Sequence, residues 1–590
     1  MRSLLGWLLT TIKRFFMLVG IFSVVFFLIW QWNNLEKKPL NLKNKPFFLR
    51  LTLNGPLNED LAEKNLFAST IRSFYRPSSI INIYQYDQAL AQAAKEPLIK
   101  GLFLDIDRLS GSFSNIEELR TSLERFKKSG KMIYGWIASA DTKSYYLASI
   151  CDRIFLTPTG QIYIPGPLIQ NTYFGDALKK LGVSIEIVRA GSYKSAVEPF
   201  IVNQPSEAAS EMNQSLSESL SKTLVAGIKQ ARGEKAHPID WFKKGLLHAS
   251  EALDLGLVDE LSYLFQAQDR AEKDFHAKEL KFDAFLQHLE QQDESNSQTD
   301  GIAIIEASGD IQMDSDDDQE TGIGPRQLFK ELDWAEKDNR VKAILLKIKS
   351  PGGSALASDL IAERLTRLKQ KKPIVAYLSS VAASGGYYIA APADKIITTA
   401  TTLTGSIGVF GMIPKFQSFA EKYGISFFVF SQSDRRNLFN PGSPSSTEDL
   451  SVLEKLTLKT YDEFKKIVAR GRNLDDTQVE ALAGGRVWTG EQALNKGLVD
   501  RIGTLHDALE EAKILAKLPI EDKVPLLFWQ KPFFKFSECF RSPSRCLFPP
   551  SEESAVIINI ELFLKSTLRY VNNLRLDPVQ AVSPEFIFVQ

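Results

Sequence analysis

The sequence predicts an α/β protein made of two tandem copies of one domain, set behind an N-terminal apolar helix. Three observations predict it. The chain repeats itself without gaps, each copy alternates strand and helix patterns, and a long apolar run sits near the N terminus.

The repeat is read first because it sets the architecture. GLFLDIDRLSGSFSNIEELRTSLERFKK, from Gly101, aligns with AILLKIKSPGGSALASDLIAERLTRLKQ, from Ala343, at an offset of 242. The register continues, with Tyr145-Tyr146 matching Tyr387-Tyr388 and Asp152 matching Asp394. Further on, ALDLGLVD from Ala252 matches ALNKGLVD from Ala493, at an offset of 241. These matches place a first copy at 46–290, a second at 302–520, and a C-terminal extension at 521–590. The polar stretch QQDESNSQTDG, 291–301, reads as the linker.

Within the second copy, Ala343–Lys349 reads as a buried strand and Ala355–Lys369 as an amphipathic helix. Pro373–Leu378 and Lys395–Thr399 read as further strands. Alternation with short Gly-rich turns implies parallel sheets.

The apolar run spans Phe15 to Trp30 and follows Lys13 and Arg14. It can cross a bilayer with flanking residues snorkelling, and Trp30 and Trp32 suit the interface. No small-x-small cleavage site follows. An uncleaved signal anchor over 15–32, after a short segment 1–14, is therefore favoured over a removed signal peptide. Arg2, Lys13 and Arg14 place the N terminus in the cytoplasm, but Lys37, Lys38, Lys43, Lys45 and Arg50 follow the span, so charge counting leaves the orientation open.

Composition narrows the function classes. Lys+Arg and Asp+Glu are both 71, so there is no basic field for a nucleic acid. The five histidines, His237, His248, His276, His288 and His506, form neither HExxH nor a Cys/His zinc spacing. No metal site is expected. The acidic run Asp314–Asp318 lacks EF-hand spacing and reads as a solvated loop. Of three cysteines, Cys539 and Cys546 bracket a short loop that fits a disulfide and two free thiols equally well.

Four stretches could carry chemistry. Ser384, in VAASGGYYIAAPADKI, lies where a strand gives way to a helix. It reads equally as a nucleophile beside the Gly385 amide or as a plain N-cap. SPGGS, Ser350–Ser354, follows a buried strand, and Gly352-Gly353 exposes backbone N–H groups that could receive an oxyanion or simply make a turn. Ser406, in TGSIGVFG, is a candidate to hydrogen-bond a base, or reads as a plain turn hydroxyl. Lys194, in AGSYKSAVEPF, sits among small and apolar residues where burial could lower its pKa, although taken alone it reads first as one of many surface lysines.

The repeat sharpens these readings. The counterpart of Ser384 is Thr142, and that of Ser406 is Ile164. Gly352-Gly353 becomes Ser110-Gly111. Lys194 becomes Arg436 at offset 242, or Arg435 at 241, and arginine cannot serve as a base. The second copy keeps the nucleophile loops and the first keeps the base, as a site shared between duplicated domains would.

YKSAVEPF, SPGGS, ASGGYY, TGSIGVFG and GRVWTGEQALNKGLVD together closely resemble the signal peptide peptidase A (protease IV) family in its long two-repeat form. The resemblance covers nearly the whole chain and is weakest over its last 70 or so residues. It implies two ClpP/crotonase-like repeats and a serine endopeptidase that uses no cofactor. It implies Ser384 as nucleophile, Lys194 as general base and Ser406 as the group that orients the lysine, with Gly352, Gly353 and Gly385 around the oxyanion. It further implies cleaved signal peptides as substrates, single-pass anchoring in a bacterial inner membrane with the catalytic part in the periplasm, and a homo-oligomer, a tetramer in the family. Two rivals remain open on the same fold: a crotonase-type acyl-CoA enzyme, and a catalytically inactive membrane scaffold.

Overall fold

Runs of β-branched and apolar residues form two central sheets, one in each copy. The computed structural model describes residues 20, 45–61, 81–233, 238–292, 299–314, 322–520, 524–529, 579–582 and 588–589. The expected membrane span, most of the acidic run, Cys539, Cys546 and the segment Ser554–Asn573 lie outside these residues. Among the described residues, no helix is long and apolar enough to cross a membrane.

The first sheet runs in the spatial order Glu260–Leu261, Arg153–Leu156, Met132–Ile137, Ile99–Ser110, Phe47–Asn58, Lys278–Lys281, and every pair is parallel. The second follows the same plan around Ile374–Ala383, Val341–Ser350 and Gly301–Ser308. Lys395–Thr398 pairs parallel with Ile374–Ala383, as Arg153–Leu156 does with Met132–Ile137. Val341–Ser350 is nearly all buried, and the helix Ala355–Leu368 turns Ile361, Ala362, Leu365 and Leu368 onto it at helical spacing. Ser354 starts that helix by accepting from Ala357 N at 3.0 Å.

The duplication is visible in matched hydrogen bonds. Asp152 accepts from Ile133 N and Asp394 from Ile374 N, both at 2.8 Å. Asp259 accepts from Ile154 N and Asp500 from Ile396 N, again at 2.8 Å. The Tyr145 hydroxyl donates to Leu257 O at 2.9 Å, and Tyr387 to Leu498 O at 2.7 Å. The first set ties the residue before one strand to the start of its neighbour, and the other two sets engage the Leu and Asp of the GLVD motif.

Two strands from the expected C-terminal extension belong to the second copy. Leu526–Phe528 adds to Gly301–Ser308, and Val579–Val582 enters a separate four-stranded sheet. The sequence pattern did not reveal either, because short strands paired across long separations leave no local signature.

The copies are joined at several places. Ser184–Ala190 of the first pairs antiparallel with Val409–Lys415 of the second. Beside this lies a buried polar seam. Glu117 accepts from Ala400 N and Thr401 N, both at 3.0 Å, and from Thr401 Oγ1 at 2.7 Å. Glu59 meets Lys349 at 2.6 Å and also accepts from Ser379. Burial alone would push the Glu59 carboxyl up, but Lys347 and Lys349 outweigh it and hold it below the usual carboxylate range. Glu118 receives the Tyr377 hydroxyl. Burial pushes its carboxyl up to about 8. Breaking such a buried network by removing one member leaves uncompensated polar groups.

Candidate active site

The buried strand Ile374–Ala383 delivers Ser384 to the start of the helix Gly385–Ala390. Ser384 has φ 55° and ψ −116°, which non-glycine residues rarely adopt, and its N–H donates to Gly405 O at 2.7 Å. The conformation turns its side chain away from the helix, and its hydroxyl makes no capping bond. Ser406 is strained in the same sense, with φ 53°, and its N–H donates to Arg486 O at 2.7 Å.

Lys194 arrives from the first copy. It follows the strand Ser184–Ala190 and precedes the 3₁₀ turn Ser195–Phe200. That turn is anchored by Glu198, which pairs with Arg189 at 3.0 Å and accepts from Ser206 Oγ at 2.7 Å. The Lys194 backbone is pressed against the second copy. A Cβ on Gly485 would fall 2.7 Å from Lys194 Cα and Cβ, and one on Gly191 would fall 2.4 Å from Gly484. Only glycine backbone permits this approach.

The structure thus brings together the three residues singled out from separate stretches of sequence. Lys194 Nζ lies 2.7 Å from Ser384 Oγ, 3.0 Å from Ser406 Oγ and 3.1 Å from Ser406 O. All three residues are fully buried. Burial pushes the Lys194 amine well below its ordinary pKa. A neutral amine has two N–H groups and one lone pair. The Ser406 carbonyl can only accept, so it takes one N–H, and Ser406 Oγ can take the second. The lone pair is then left for the Ser384 O–H.

The glycines surround this centre. Gly386 packs onto Ser350 so closely that a Cβ would meet Ser350 O at 2.5 Å, which sets the SPGGS loop beside the helix that Gly385 begins. Gly352 and Gly353 have φ 114° and 148°, and Gly352–Ser354 forms a short strand where sequence suggested an open turn. The Gly352 N–H donates to Ser350 Oγ at 3.1 Å. A Cβ on Gly353 would fall 1.9 Å from Ile311 O.

The model of peptidase family S49 matches this chain twice, over residues 125–278 and 366–519, together just over half of it. The chain belongs to peptidase family S49. It is a serine peptidase with the family domain duplicated. The S49 matches fall one in each copy, separated by the offset of the internal repeat. Among curated relatives, the chain is similar to the chloroplastic serine protease SPPA of Arabidopsis thaliana, 30% identical over 84% of this chain and 73% of that one. It is also similar to protease 4 of Haemophilus influenzae, 34% identical over 72% of each chain. A solved ClpP1 mutant from Listeria monocytogenes aligns with 35% of this chain and 94% of that one, at 16% identity and a TM-score of 0.23, a likeness too slight to carry any argument about the fold.

Sequence reading missed three supporting features. The Gly484-Gly485 pair that admits the lysine loop was legible as a double glycine but had no visible partner. Arg486, which stacks on Tyr193 and Trp488 and pairs with Glu211 at 2.6 Å, joins the copies beside the site. The positive φ of Ser384 and Ser406 has no sequence signal, since such positions usually hold glycine.

Proposed function

We propose that this S49 peptidase is a membrane-anchored endopeptidase that cuts hydrophobic peptides, cleaved signal peptides among them, with a Ser384–Lys194 dyad. The observation that carries this reading is the 2.7 Å approach of Lys194 Nζ to Ser384 Oγ in full burial, with no carboxylate among the groups that bond the amine.

Neutral Lys194 takes the Ser384 proton as Ser384 Oγ attacks the scissile carbonyl carbon. The oxyanion is held by the N–H groups of Gly353 and Gly385, while Gly352 shapes the turn. The ammonium of Lys194 then protonates the leaving amine as the C–N bond breaks. Water, deprotonated by the same amine, releases the acyl group from Ser384. Ser406 keeps the amine aimed. Anchoring belongs to Phe15–Trp30. The paired sheets and the site shared between copies are compatible with a ClpP/crotonase-like plan that assembles into oligomers. An acyl-CoA enzyme would have no use for a buried Lys–Ser contact.

A serine-directed fluorophosphonate tests the reading. The expected result is labelling of Ser384, together with casein hydrolysis, both lost in Lys194→Ala. Casein hydrolysis that persists in Ser384→Ala would sink the proposal.

A further inference from the structure

Beside the dyad, one slot in the four-stranded sheet is filled by a distant part of the chain. The order in this sheet is Gly352–Ser354, Val579–Val582, Val409–Lys415, Ser184–Ala190. Val579–Val582 runs antiparallel to both of its neighbours. Gly352, Gly353 and Ser354 face Val582, Ala581 and Gln580, while Phe410 and Gly411 face Gln580 and Val579.

The walls of this slot are the segments that carry the site. Gly353 is the oxyanion glycine, Val409 follows Ser406 by three residues, and Ala190 precedes Lys194 by four. The outer edge of the glycine strand is already used, because Gly352 O accepts from Ile311 N at 2.8 Å and Ser354 N donates to Ile311 O at 2.7 Å. Alternation along an extended chain then turns the N–H and C=O of Gly353 toward Ala581. A peptide substrate adding to this edge would pair with the same two groups. On the other wall, Phe410 and Met412 are buried with Ala196 and Val197, so the slot is backed by apolar packing. The inserted sequence, Val-Gln-Ala-Val, carries no charge, as a hydrophobic substrate segment would not.

We infer that Val579–Val582 is an intramolecular occupant of the substrate groove, a strand that an incoming peptide must displace. The inference rests on the reading of Ser384 as nucleophile. A groove that is open for only a fraction of the time binds with an apparent affinity reduced by that fraction. The segment therefore raises KM for short peptides and favours long substrates whose extra contacts can compete for the groove.

Two full-length variants test this. Ala581→Pro removes the N–H that faces Gly353, and proline is poorly tolerated inside a ladder. The second carries Val579→Gly, Gln580→Ser, Ala581→Gly and Val582→Ser together. The substrate is a short apolar fluorogenic peptide. We expect KM to fall roughly tenfold in both variants while kcat moves less, as for a groove closed about nine-tenths of the time. We also expect the synthetic peptide Pro-Val-Gln-Ala-Val-Ser to inhibit Ala581→Pro competitively. An unchanged KM in both, with activity still dependent on Ser384, would overturn the inference and leave the site reading intact. Activity that survives Ser384→Ala would instead sink the site reading. Fluorophosphonate labelling checks that the site is formed, and loss of labelling in both variants would make the segment part of the site's scaffold, which also overturns the inference.

Discussion

The two copies present matching strand-to-helix junctions, but the helix that follows begins differently in each. In the first copy Asp141, at φ −93°, caps the helix Thr142–Ala148 by accepting from Ser144 N at 2.7 Å. In the second, Ser384 occupies the cap position at φ 55° and caps nothing with its side chain. Ordinary capping is worth about 0.5–2 kcal/mol, and a non-glycine residue in a sparsely populated region costs about 1–3 kcal/mol. The second copy therefore gives up a stabilising bond and adopts a strained backbone. What it gains is a hydroxyl turned toward Lys194. The lysine itself comes from the first copy, whose own junction has Thr142 and no base. In the proposed reading, one copy supplies the strain and the nucleophile and the other supplies the amine.

Removing the contribution of the first copy should have the largest effect. Lys194→Arg puts a permanent cation in place of the neutral amine and provides no lone pair, so turnover should fall by about 10⁴–10⁶, judged by peptide hydrolysis under saturating substrate. Retention of a tenth of the activity would mean that another group is the base. The next effect concerns the glycine strand. Gly353→Ala places a methyl group against Ile311 O and disturbs the amide assigned to the oxyanion, so kcat should drop by about 10²–10³. Gly111→Ala at the matching place in the first copy should leave kcat unaltered. The smallest effect compares backbones alone. Ser384→Gly and Ser384→Ala both lack the hydroxyl, but glycine tolerates φ 55°, so the glycine variant should be more stable by about 1 kcal/mol in thermal unfolding. At the junction of the first copy the preference should reverse in kind, with Asp141→Ala costing about 1 kcal/mol through its lost cap and no activity.

Much of this was legible in the sequence. The repeat exposed the duplication, the buried strand Val341–Ser350 and the helix Ala355–Leu368 lie where periodicity put them, and Ser384, Lys194 and Ser406 were singled out before their positions were known. The rest was hidden for physical reasons. The buried seam of Glu59, Glu117 and Glu118 looks like any charged stretch until partners hundreds of residues away arrive. Nor does the sequence show that Cys151 is buried, with its thiol pushed up to about 12. The strand Val579–Val582 is four uncharged residues in a region with no periodic pattern, and only its pairing gives it a meaning.

The account depends on Lys194 being an uncharged base held by the first copy against the serine of the second. The direct measurement is the rate of fluorophosphonate labelling of Ser384 as a function of pH. Burial lowers the lysine pKa, so the neutral form is present above the lowered value and lost as pH falls through it. The rate should rise with pH to a plateau reached well below the ordinary lysine range, and the limb should vanish with the labelling itself in Lys194→Ala. A pH-independent rate, or labelling that survives Lys194→Ala undiminished, would contradict the account.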